Sequence, residues 1–129
     1  MGSIEIGLIS AGNLFAVLGQ TIASNKDHET YKKKSSIRFL QNKEKKHLAL
    51  LLSCFFGSHF LLNLSWLSYF LASLLVIAPA YHWQQLNKYI STNNGHNKTT
   101  YAKAMLIKNF GLALLFFGIS LWTLSLNRL

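Results

Sequence analysis

LALLLSCFFGSHFLLNLSWLSYFLASLLVIAPAY, residues 48–81, is the stretch whose reading decides the fold. It contains no Asp, Glu, Lys or Arg. As one helix it would run about 51 Å at roughly 1.5 Å per residue, against a bilayer hydrocarbon core of about 30 Å. That is too long for one comfortable crossing and just long enough for two short ones. The apolar run is interrupted at Asn63-Leu64-Ser65-Trp66, where polar groups favour a turn and an indole ring suits a membrane interface. The stretch therefore reads as a helical hairpin, 48–62 and 66–83, inside a membrane.

Composition points the same way. The chain has 129 residues, 50% hydrophobic and 13% charged. The charged share is about half that of a typical soluble domain, and mean hydropathy is +0.23. The formal net charge of +9 lies in polar connectors beside apolar blocks. This distribution suits loops facing anionic lipid rather than a nucleic-acid-binding surface on its own scaffold. A single cysteine, Cys54, excludes an internal disulfide and reads as a small core residue.

Outward from the hairpin, residues 4–23 form a first candidate span. Gly12, Ala16, Gly19 and Ala23 share one face of that helix, a seam of small residues that lets another helix approach closely in lipid. A secretory-signal reading fits less well, because no basic residue precedes the apolar run. Residues 102–126 form the last span, with Gly111 and Gly118 as small packing positions. Between spans lie two polar connectors. Residues 24–46 carry eight of the thirteen basic residues, with a helical extension expected from about Ser35. Residues 84–101 contain the turn signal Asn94-Gly95. Four crossings put both basic connectors on one side, which the positive-inside rule makes cytoplasmic, and both termini on the outer or lumenal side. The expectation is one all-α integral membrane domain, a four-helix antiparallel bundle.

A hairpin pivoting near Asn63–Ser65 places His47 and His82 at similar depth on neighbouring helices. Such a pair suggests haem or metal ligation, but no carboxylate or cysteine completes a ligand set, and no metal is expected. His59 and Asn63, one turn apart in the apolar helix, should face the bundle interior. No nucleotide-binding glycine motif or serine triad pattern is present.

Ile37-Arg38-Phe39-Leu40-Gln41-Asn42 resembles the Arg-x-x-x-Asn-x-x-Glu segment of the membrane-associated proteins in eicosanoid and glutathione metabolism (MAPEG). Members of that family are similar in length, have four spans and a basic first cytoplasmic loop, and usually form trimers. The family glutamate falls at Lys45, with Glu44 one residue early. An arginine of the third span falls at Pro79, and its partner three residues on is His82. The resemblance implies glutathione as co-substrate, with Arg38, Asn42, Lys45 and Tyr81 as its contacts and His82 as a catalytic residue that orients or polarises it. Cationic groups would hold the tripeptide's carboxylates, and a cation beside the thiol would favour the thiolate. The implied activity is that of a divergent glutathione transferase or peroxidase in the bilayer, as a homo-oligomer. The alternative is a non-catalytic membrane subunit or assembly factor whose small-residue seams serve partner helices.

Overall fold

The computed structural model describes residues 2–24, 35–91 and 98–126. These form four helices: α1 (Ser3–Ala23), α2 (Ser35–Phe56), α3 (Ser65–Ser91) and α4 (Lys98–Ser125). A π-helical turn, Gly57–Leu61, closes α2, and there is no strand among the described residues. Lys26, Lys32-Lys33-Lys34 and the Asn94-Gly95 turn lie outside them.

The long uncharged run does break where its polar interruption falls. Asn63 takes a left-handed φ of 59°, a region that asparagine tolerates better than most residues. The Leu62 amide donates to the Gly57 carbonyl at 3.0 Å, and the Leu64 amide to that of Ser58 at 2.9 Å. These bonds satisfy carbonyls that a helix end would otherwise leave bare. Trp66 projects outward at the start of α3. Asn63 sits exposed in the turn rather than facing the interior, because the helix ends at Leu61, two residues before it. His59 does face the interior, at 1% exposure.

The helices run alternately up and down. α1 packs along α4, α4 against α3, and α3 against α2. The small-residue seam of α1 sets the first of these contacts. A Cβ built on Gly12 would strike the Leu115 amide nitrogen, and one on Gly19 that of Lys108. Seven residues forward on α1 thus match seven residues backward on α4, which makes the pair antiparallel. α1 and α4 are also the two helices long and apolar enough to cross a membrane, over Ser3–Ala23 and Thr100–Ser125.

Two clusters hold the bundle together. Ala23, Ile37, Leu86, Ile90, Tyr101, Ala104 and Met105 gather residues from all four helices at one end. Leu48, Phe55, Leu71, Ala72, Leu75 and Phe116 join α2, α3 and α4 nearer the hairpin turn. The first cluster brings the end of α1, the start of α2, the end of α3 and the start of α4 together, so both polar connectors leave from the same end. α3 continues as helix through 84–91, and α4 begins at Lys98. Cys54 is exposed rather than in the core, because Phe55 and Leu48, one heptad apart, define the buried face of α2. Large apolar side chains also face outward around the bundle, among them Ile4, Leu14, Leu50, Phe70 and Ile77.

Candidate functional site

Along α2, Phe39, Asn42, Lys43, Lys46, His47, Leu50 and Leu51 recur at helical spacing and so share one face. The polar half of this face lines a recess of about 380 Å³ bounded by Phe39, Asn42, Lys43, Lys46 and His47. The apolar half lines a groove of about 390 Å³ between α2 and α3, bounded by His47, Leu50, Leu51, Leu74, Ile77, Ala78, Tyr81 and His82. His47 lines both. The site is therefore cationic at one end and apolar along its length.

The hairpin turn sets the register that brings His47 and His82 together. Their ring centroids lie 5.4 Å apart with the planes tilted by 46°. The Tyr81 ring stands edge-on to that of His82 at 5.6 Å. His82 is 7% exposed, while Tyr81 opens to the surface. Asn42 lines the recess. Arg38 and Lys45 are exposed and line neither cavity. Of the residues named from the family resemblance, the structure thus gathers Asn42, Tyr81 and His82 along one continuous site, with Arg38 and Lys45 outside its walls.

Lys43 and Lys46 were not singled out as site residues from sequence, although their i, i+3 spacing around Asn42 and His47 carries that information. Glu44, beside them, turns inward and is 4% exposed. Its Oε1 has no hydrogen-bond partner among the described residues. Burial pushes its carboxyl above the usual range, against the pull of the Lys108 and Lys45 charges. Glu44 is therefore not a group offered to a ligand in the recess.

The remaining interhelical hydrogen bonds fix the frame. Gln41 Nε2 donates to the Tyr101 hydroxyl at 3.1 Å, tying α2 to α4 beside the recess. Trp83 Nε1 donates to the Ala102 carbonyl at 3.1 Å. Asn109 Nδ2 donates to the Pro79 carbonyl at 2.7 Å, which holds α3 against α4 one turn before His82. No cluster of three or more His, Cys, Asp or Glu side chains suited to a metal ion occurs among the described residues.

No family model, curated protein or solved structure matches the chain.

Proposed function

We propose that the protein is an integral membrane protein of four crossings that binds glutathione at the α2 recess and a lipophilic co-substrate in the adjoining groove, as a divergent protein of the MAPEG type. The observation that carries this reading is the double role of His47, which borders both the cationic recess and the apolar groove. An anionic tripeptide suits Lys43, Lys46 and Asn42, since charge-assisted hydrogen bonds to carboxylates are the strong ones. An apolar molecule suits Leu50, Leu51, Leu74 and Ile77 and would enter sideways from lipid. His82, at the inner end, would orient the thiol. The outward-facing Leu50, Phe70 and Ile77 support a hydrocarbon surrounding for α2 and α3, and the basic end of the bundle faces the cytoplasm in this reading.

Thermal unfolding of the detergent-solubilised full chain tests it. Millimolar glutathione raises the midpoint, because a ligand that binds only the native state stabilises it by mass action. Lys43→Ala/Lys46→Ala removes the shift, while Arg38→Ala leaves most of it. No shift in the parent protein would end the glutathione reading and leave the non-catalytic membrane subunit, for which the exposed apolar side chains of α1 (Ile4, Leu14 and Val17) provide surface for a partner helix.

A further inference from the structure

The exposed surface of α1 has two unlike flanks. One is apolar, with Ile4, Leu14 and Leu18 open to the surroundings. The other carries Ile6, Ser10, Asn13, Val17 and Gln20, all exposed. These residues follow one another at alternating steps of four and three, so they line a single stripe along the helix. α1 packs chiefly on α4, through Gly12, Ala16 and Gly19, and the stripe lies on a different face from that contact. Hydrocarbon suits the first flank. It does not suit the second, where Ser10, Asn13 and Gln20 are polar.

Asn13 is the most demanding member. It lies ten residues from either end of Ser3–Ala23, which is about 15 Å at roughly 1.5 Å per residue. That depth is the midplane of a hydrocarbon core about 30 Å thick. The side-chain hydrogen bonds made from α1 and its C-cap are those of Thr21 to the Val17 carbonyl and of Ser24 to the Gln20 carbonyl. The Asn13 amide thus has no partner among the described residues. A polar side chain at such depth is costly unless another protein group meets it. Gln20 repeats the amide one heptad on, nearer the basic end of the bundle.

We propose that this stripe of α1 is an interface with a second copy of the same chain, closed by a reciprocal pair of Asn13 amides. The chemistry of the group selects the occupant. Two copies inserted by the same charge rule face the same way. A two-fold axis along the membrane normal then sets each stripe residue opposite itself. A carboxamide carries both donors and an acceptor, so Asn13 satisfies the same amide of the second copy, as a lysine or a glutamate would not. A lipid chain offers only methylenes at the midplane and leaves the amide bare. Ser10 is small enough to let the two helices approach closely, and Ile6 and Val17 pack on either side of the amide pair. In soluble coiled coils a single Asn in an apolar three-four seam fixes register and strand number in the same way. The proposal rests on α1 crossing the membrane, and not on glutathione.

The test uses the full chain in phospholipid vesicles. An alkaline carbonate wash first establishes that the protein is inserted. Parent chains labelled with donor or acceptor dye on Cys54, which is exposed, show energy transfer with the stoichiometry of a pair. Asn13→Val, a change at an exposed position, raises the dissociation constant about tenfold. Asn13→Gln, which keeps the amide, changes it about threefold or less. In a Cys54→Ser background, Ile6→Cys and Val17→Cys cross-link between chains under a membrane-permeant oxidant, whereas Ile4→Cys and Leu18→Cys on the apolar flank do not. An inserted parent without energy transfer overturns the proposal and leaves the stripe to a different membrane protein. Pairing of Asn13→Val equal to that of the parent overturns it, as does cross-linking through Ile4→Cys and Leu18→Cys instead, or an assembly of three or more chains. Release of the protein by the carbonate wash ends the membrane reading itself, and this proposal with it.

Discussion

Gly111 of α4 lies so close against Ala16 of α1 that a Cβ on the glycine would meet the Ala16 amide nitrogen. Gly12 and Gly19 stand in the same relation to α4, over the backbones of Leu115 and Lys108. The two most apolar helices are thus joined backbone to backbone, without intervening side chains. In lipid there is no hydrophobic force between helices, and such close approach lets dispersion and weak polar contacts hold them. Gly19→Ala should cost about 1–3 kcal/mol, the usual penalty for overpacking a tight contact. Gly7 has open space around its Cβ position, so Gly7→Ala should be neutral or stabilising by up to about 1 kcal/mol, as expected for glycine replaced within a helix. Unfolding of both variants in mixed detergent gives the comparison. Equal responses would mean that Gly19 does not lie in the α1–α4 seam.

The turn at Asn63 carries a different demand. Its φ of 59° is open to Gly and Asn and costs roughly 1–2 kcal/mol for a residue with a bulkier Cβ. Asn63→Val should destabilise by about that amount, and Asn63→Gly should be clearly milder. The same unfolding measurement ranks the two. If Val were tolerated as well as Gly, the chain would not reverse through a left-handed residue here.

Several of these features can be read from the chain, for physical reasons. The hairpin turn is legible because Asn63 and Ser65 interrupt an uncharged run too long for one crossing. The α1 seam is legible because glycine and alanine repeat at helical spacing. The approach of His47 to His82 follows from counting outward from the turn. The inward orientation of Glu44 is not legible, because it sits among Lys43, Lys45 and Lys46 and local charge suggests a solvated face. The exposure of Cys54 is hidden for a related reason. Apolar residues surround α3, α4 and the later half of α2 on every side, so periodicity does not distinguish the packed face from the outer one. The bond from Asn109 to the Pro79 carbonyl depends on the register between α3 and α4, which no local pattern encodes.

Gln41 and Tyr101 make a hydrogen-bonded link between α2 and α4, which pack less extensively on each other than on α3. Tyr101 is fully buried in the cluster shared by all four helices. A net hydrogen bond of this kind contributes about 0.5–1.5 kcal/mol. A double-mutant cycle with Gln41→Ala and Tyr101→Phe should return a coupling energy in that range, since the two side chains interact directly. A coupling of zero would place the amide and the hydroxyl apart. Because Gln41 lies one residue before Asn42, loss of this link should also weaken any ligand that depends on the recess keeping its shape.

Glu44 gives the bundle a pH dependence of definite sign. Its carboxyl is held above the ordinary carboxylate value of about 4.5, chiefly by burial, with Lys108 and Lys45 opposing. An acid whose pKa is higher in the folded than in the unfolded chain binds its proton more tightly when folded. Its contribution to stability is therefore fully present below about pH 4.5 and is lost as pH rises through the folded-state value. Glu44→Gln removes that titration while keeping the shape. The stability of the parent relative to Glu44→Gln should accordingly fall from pH 4.5 towards neutrality, whatever the constant offset between them. Chemical unfolding of both proteins at intervals between pH 4 and pH 7 gives the difference directly. A difference that grew in favour of the parent over this range would mean that the attraction of Lys108 and Lys45 outweighs desolvation, and that Glu44 is held as a buried anion.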